Sequence, residues 1–512
     1  MSKHRRFLYL IIAIITLLTA CTGDGGGGRP LETLVVGLEG NPSTLDPRYA
    51  SDAYGVRIAP LIFNGLLKMD LSGSLVNDLA EKWEQPDALT HRLTLRKGVT
   101  FHDGSELDAG DVVATYHFAM DPQNGCPISG SLKTLESVEA PDPQTVLFKL
   151  KSPYVSFPFQ LRLGILPSEL AGEKALGERL IGTGPFRLIT FKAGEEILLK
   201  GYKEHFGGAP KCESVRFRIL TNATTRLLEV RSGGLDLLQN AVPPYSLKFL
   251  DREEGLKTLR APGASYQYLG FNLEDPILSD IRVRRAIAHA IDRETLIAYV
   301  MQGQARPADS FFPPEHWAHT DKAPGYVYDP DLSKRLLDEA GLSDPDGEGP
   351  LMRVTLSYKT STDKTANEAA RVIADQLSKV GIGVEVRSFE WGTFFSDVKK
   401  GNFQLMSLRW VGISDPDVLY YIFHSTSTPP GGANRGRYSN GEVDGWLDAS
   451  RVEFDLEKRA ELYRRVQEGV VRDMVYVSLW WPDNVIVLSE SVEGFVPYPG
   501  GEYTSLANVE RR

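Results

Sequence analysis

Cysteine is scarce in this chain, with three among 512 residues, and that excludes a disulfide-built scaffold. Cys21 stands at the end of the leader, which leaves Cys126 and Cys212 able to pair in an oxidising compartment. A membrane-spanning run is lacking as well. The apolar stretch from Phe7 to Leu18 is about a dozen residues, where a spanning helix needs about 20. Positive charge is outnumbered, 57 Lys and Arg against 67 Asp and Glu, for a formal charge of −10. No basic stripe offsets that balance, so nucleic acid is excluded as a partner. Enzyme signatures are also missing: there is no Gly-x-Ser-x-Gly elbow, no phosphate-binding loop, no His-Glu-x-x-His and no dinucleotide fingerprint. His316 and His319 have a metal-like spacing, but Pro313 and Pro314 precede them and no second pair stands near, so the segment reads as a surface loop. Asp344-Pro345-Asp346-Gly347 starts like a calcium loop, yet Thr355 occupies the closing position, so a turn is expected. No metal and no cofactor are expected.

What is present begins with the leader. Lys3, Arg5 and Arg6 precede the apolar run, which ends in Leu18-Thr19-Ala20-Cys21. This order resembles the bacterial lipobox, in which cleavage falls before a Cys that takes up lipid. Cys21 is thus the expected lipid-attachment site of an exported protein. Thr22 to Gly28 is mostly glycine, which has little to bury and much entropy to lose, so it reads as a flexible tether. A hydrophobic share of 42% with 10% aromatic residues then marks the remainder as globular, long enough for about three domains.

Along the body, Leu34 to Leu38 reads as a short buried strand stopped by Asn41-Pro42, and Arg92 to Phe101 as a hairpin turning at Arg96-Lys97-Gly98. Thr145 to Leu150 and Val215 to Leu220 alternate as half-buried strands. Val283, Ala286, Ile287, Ala290 and Ile291 make one apolar helix face, with Arg282, Arg284 and Arg285 largely off it and free to stay solvated. A second helix is predicted over 331–340, closed by Gly341. Val354, Leu356 and Tyr358 alternate, a helix pattern runs from Ala366 to Val380, and Ile382, Val384 and Val386 alternate again. That is a βαβ unit, parallel and right-handed.

A further strand is predicted over 403–408. In open α/β sheets ligands sit beyond the carboxyl ends of strands, so 409–416 becomes a candidate site. Trp410 has two readings, core residue or ligand contact. Arg409 and Gly412 beside it favour contact, since an indole face covers an apolar or peptidic ligand and glycine lets backbone come close. Asp415-Pro416 suits a helix N-cap and first turn before Val418-Leu419-Tyr420-Tyr421-Ile422-Phe423.

Several ordered segments resemble the extracellular solute-binding proteins of family 5, the peptide and nickel receptors of ABC importers. They are Pro42-Ser43-Thr44-Leu45-Asp46-Pro47, Leu79-Ala80-Glu81-Lys82-Trp83, Leu95-Arg96-Lys97-Gly98-Val99-Thr100-Phe101-His102-Asp103-Gly104, Gly182-Thr183-Gly184-Pro185-Phe186, Leu269-Gly270-Phe271-Asn272, and Val283-Arg284-Arg285-Ala286-Ile287 running into Ala290-Ile291-Asp292-Arg293. The resemblance implies an α/β, two-lobed periplasmic-binding-protein fold with an extra inserted domain. On that scheme a signal peptide covers 1–20 and a tether 21–30. Domain I takes 31–60, 181–268 and 483–512, domain II takes 61–180, and domain III takes 269–482.

The implied function is capture of a peptide-like solute in an interlobe cleft and delivery to a membrane permease with its ATPase. The protein would be a monomer, without catalytic residues, lipid-anchored to the cell membrane and facing the periplasm or cell exterior. In peptide-binding members an Asp three positions after the matching Trp pairs with the ligand's α-ammonium, and here that position is Ile413. Either Asp415 or Asp417 takes the role, or the ligand is not a free-amino peptide. The alternative to a receptor is a secreted lipoprotein hydrolase, which needs paired carboxylates in the cleft.

Overall fold

The computed structural model describes residues 33–511 apart from Pro324, Glu348 and Ser414. The leader, Cys21 and the glycine tether lie outside the described residues.

Three sheets organise the molecule. The first has seven strands in the order Leu256–Ala261, Asn484–Ser489, Leu237–Gln239, Thr33–Leu38, Ser214–Ile219, Glu196–Gly201 and Phe186–Lys192. Its centre is the apolar Thr33–Leu38, parallel to both neighbours and buried along nearly its whole length. A four-stranded antiparallel sheet, Ala80–Asp87, Thr90–Leu95, Thr145–Leu150 and Leu135–Asp142, carries the helix Ala109–Met120 on a separate core that includes Leu93, Phe101, Tyr116 and Phe148. The third sheet orders Ala305–Pro307, Tyr476–Pro482, Tyr266–Phe271, Leu405–Trp410, Val354–Ser361 and Ile382–Phe389.

Within the third sheet, Val354–Ser361 pairs in parallel with Ile382–Phe389 over eight residues, and the helix Lys364–Ser378 crosses between them. Asp363 caps that helix by accepting from the Ala366 amide at 2.8 Å, and Gly381 ends the segment at φ +86°. The apolar residues of the helix, Ala370, Ile373 and Leu377, are fully buried, so truncating one of the larger ones costs about 2–5 kcal/mol. The expected βαβ unit is present. Leu405–Trp410 runs parallel to Val354–Ser361, so the carboxyl ends of three strands lie at one edge.

The chain passes between the first and third sheets twice, at residues 262–265 and at Asp483. At the first passage a side chain on Gly263 would meet the Pro482 carbonyl at 2.4 Å, so only glycine lets the two crossings lie this close. Arg306 lies 3.7 Å from Asp483 across the second.

Several local expectations are corrected. Thr90–Leu95 does not turn back on 99–101. Its partners are Ala80–Asp87 and Thr145–Leu150, and the Arg96 amide goes to the Leu79 carbonyl, which leaves 99–101 a single bridge from Thr100 to Glu106. Arg284 is buried and not solvated. Its guanidinium closes the carbonyls of Leu278, Ser279, Asp473 and Met474, the fan of donors satisfying backbone acceptors that an aliphatic residue would leave unpaired. Cys126 and Cys212 are both buried and free, and Cys212 belongs to the core of the seven-stranded sheet. No described helix is long and apolar enough to cross a membrane.

Candidate functional site

The carboxyl edge of the third sheet faces the first lobe. Lys364, just past Val354–Ser361, places its ammonium 4.4 Å from the ring centre of Tyr245 in that lobe. Gly412, just past Leu405–Trp410, stands at φ +64° with Gly500 as its nearest neighbour across the gap. Only glycine takes that conformation without strain. The Ile413 amide donates to the Ala264 carbonyl at 2.9 Å, pinning this turn to the lobe crossing.

The strand continues to Trp410, two residues beyond the predicted end, so Arg409 and Trp410 belong to it. Alternation sends their side chains to opposite faces. Arg409 is open to solvent yet ringed by protein. Those surroundings push its guanidinium pKa down, while Asp363 from its own lobe and Glu39 from the other act to raise it. The protein around the half-exposed Glu39 shifts its carboxyl up, against Arg226 at 3.8 Å and a hydrogen bond from Tyr54. Charges of both signs from both lobes thus meet at Arg409.

Trp410 is half-buried, packed on the core that holds Met406, Leu408 and Leu419. The Arg435 guanidinium carbon lies 4.8 Å from its ring centre and 5.3 Å from that of Phe395. Phe395 stacks in turn on Trp391 at 5.4 Å and 9°. Trp391 is half exposed and opens the helix Trp391–Lys400, directly after Ile382–Phe389. An aromatic ladder therefore runs inward from the cleft edge. Gly436 aims Arg435 into it: a side chain there would strike the Phe271 carbonyl at 2.5 Å, so glycine lets the loop press onto the central strand.

Asp415 and Asp417 are placed differently from the expectation. Asp417, and not Asp415, is the N-cap of Val418–Phe423, and its side chain caps nothing. The Asp415 carboxylate accepts from the Asp417 amide at 3.1 Å and lies 3.3 Å from Arg459, which also bonds Ser156. Burial pushes the Asp415 carboxyl up, and Arg459 pulls it back. Asp417 pairs with Arg451 at 2.9 Å and accepts from the Tyr154 hydroxyl at 2.7 Å. The Val155 amide donates to the Arg451 carbonyl at 2.9 Å. Residues 154–156 follow the four-stranded sheet, so these bonds join one lobe to the other. Each Asp thus has an arginine of its own within 3.3 Å.

The sequence reading missed Arg435, Phe395, Trp391, Tyr154, Ser156, Arg451 and Arg459. Trp391 carried a usable signal, because it follows the carboxyl end of a parallel strand just as Gly412 does. The others reach the site from loops and helices with no local pattern. No cluster of His, Cys, Asp and Glu that could hold a metal occurs among the described residues.

Comparison with known proteins adds to this geometry. The family model described as "Bacterial extracellular solute-binding proteins, family 5 Middle" matches residues 74–430. The chain is 28% identical to the oligopeptide-binding protein AppA of Bacillus subtilis, over 99% of each chain. The structure of AppA in complex with a nonapeptide is similar to this one at a TM-score of 0.82, covering 94% of this chain and 99% of that one. Protein XP55 of Streptomyces lividans is 31% identical over 94% of this chain and 90% of its own length. The dipeptide-binding protein of Escherichia coli K12 is 27% identical over 92% and 93%.

Proposed function

The chain belongs to the bacterial extracellular solute-binding proteins of family 5, and from that premise we propose that it is the substrate-binding component of an ABC importer. It captures a peptide-like solute in the cleft between its two lobes and hands it to a membrane permease with an attached ATPase. The supporting observation is that strand ends, an aromatic ladder and charged groups of both lobes meet beside the two chain crossings. Relatives that match nearly end to end are named for binding oligopeptides and dipeptides.

In this reading the domain limits at 60, 180, 268 and 482 separate a discontinuous domain I from domains II and III. Ligand binding favours the closed form by its differential contacts with the second lobe, and no chemistry on the ligand is required. Arg409, Trp410 and Gly412 line the cleft, whereas Asp415 and Asp417 support closure. The protein is exported, held at the membrane by lipid on Cys21, and acts as a monomer.

Trp410→Ala tests the cleft. Affinity for short peptides should fall tenfold or more, and stability by about 1–3 kcal/mol because the indole is half-buried, as read by calorimetry and urea unfolding. Unchanged affinity with the same loss of stability would return Trp410 to the core alone. Cys21→Ser should move the protein from the membrane to the soluble fraction, and its persistence on membranes would refute the anchor.

A further inference from the structure

Five arginines are buried among the described residues: Arg48, Arg226, Arg284, Arg435 and Arg459. Four of them are well supplied with acceptors. Arg48 bonds the Asp46 carboxylate and the carbonyls of Ala171 and Glu173. Arg226 bonds three carbonyls, those of Leu220, Thr221 and Ala241. Arg284 closes four, and Arg459 reaches Ser156, Ser450, Tyr463 and Asp415.

Arg435 is the exception. Among the described residues its guanidinium has one acceptor, the Tyr268 hydroxyl at 3.2 Å from Nη1. No described carboxylate lies within ion-pair distance. The Nε and Nη2 groups bond nothing described, and the residue keeps 8% of its surface exposed. The rings of Trp410 and Phe395 attract the charge, but cation–π attraction is weaker than the cost of stripping a guanidinium of water. A cation that is otherwise more than nine-tenths buried therefore keeps an open edge at the inner end of a ladder leading to the cleft.

Most acids near the cleft are paired: Glu39, Glu502, Asp415 and Asp417 each lie within 4.0 Å of an arginine, namely Arg226, Arg162, Arg459 and Arg451, while the exposed Asp363 and Glu390 cap helices at the carboxyl ends of two parallel strands. At the third position after Trp410 there is no acid but Ile413.

We infer that the ligand of this receptor is recognised through a carboxylate that ion-pairs with the Nε–Nη2 edge of Arg435, and not through an α-ammonium. A planar carboxylate matches two parallel N–H groups, and the flat ladder of Trp391, Phe395 and Trp410 covers the adjoining apolar part of the ligand. This inference rests on the peptide-like reading and names the group of the peptide that is read. The carboxylate is either the peptide's own C-terminus or an acidic side chain.

The test uses the mature protein, freed of bound solute by reversible unfolding, and isothermal titration with four probes. They are N-acetyl-trialanine acid, its C-terminal amide, the N-acetyl amide with a central glutamate, and trialanine amide with a free amine. The acid probe, the glutamate probe or both should bind at least tenfold more tightly than the neutral amide, and which one does so identifies the source of the carboxylate. Arg435→Gln should abolish that preference, and Arg435→Lys should restore part of it in a protein of unchanged circular dichroism. The comparison of probes on the wild type needs no variant, so a poorly folded Arg435→Gln does not spoil it. Trialanine amide binding as tightly as the acids, or an acid preference that survives Arg435→Gln, overturns the inference and leaves the peptide reading standing. Failure of all four probes to bind overturns the peptide reading, and the inference with it.

Discussion

His91 and His102 show how much a single buried ring commits this fold to neutral pH. His91 is 1% exposed, and its Nδ1 accepts from the Trp83 indole at 3.2 Å, which fixes the neutral tautomer. His102 accepts from the Gly182 amide and bonds the Gly184 carbonyl through Nε2, tying 102 to 182–184. Burial pushes both rings down to about 4 from the usual 6.5. Between those values the unfolded chain binds more protons than the folded one. Stability is therefore fully present above about pH 6.5 and is lost as pH falls toward 4, by about 3 kcal/mol for His91. Urea unfolding of His91→Gln from pH 7 to pH 4 should show a flatter decline than the wild type, and an identical decline would show that His91 does not titrate in this way. The two segments that meet at His102 were visible in the sequence as separate strings. Their contact was not, because a ring binding two backbone groups 80 and 82 residues away leaves no periodicity to read.

At the scale of elements, the strand–helix–strand from Val354 to Phe389 was readable because alternation and a helical stripe are both local patterns, and Gly381 marks the turn between them. The bonds between lobes were not readable. Asp415-Pro416 has the form of a helix cap, yet Asp417 accepts from Tyr154, 263 residues earlier, and Arg459, the partner of Asp415 within its own lobe, bonds Ser156 of the other. Long-range pairing of two charges took over a role that the local pattern assigned to capping. These bonds exist only when the lobes meet, so weakening one should shift the balance toward the open form. Tyr154→Phe removes one hydrogen bond to a carboxylate, worth about 1–2 kcal/mol, and should weaken ligand binding by roughly five- to thirtyfold. Small-angle scattering of the unliganded variant should show a larger radius of gyration than the wild type. Equal radii and equal affinity would make the contact incidental to closure.

For the whole molecule, three sheets divide the work. The seven-stranded and six-stranded sheets each bury a core on both faces, and the four-stranded sheet has its own, so each is rigid by itself. In the receptor reading motion is left to the crossings at 262–265 and Asp483, and the cleft opens on the edge where the parallel strands end. The receptor reading requires that this cleft hold a solute released unchanged. Mass spectrometry of the small molecules freed by denaturing the protein purified from its source tests this most directly. The expected result is one class of peptide-like, carboxylate-bearing solute, near one molecule per chain, identical before and after prolonged incubation with the folded protein. A solute that is cleaved during incubation, or its recovery in equal amount from Trp410→Ala, would contradict a binding cleft at this site.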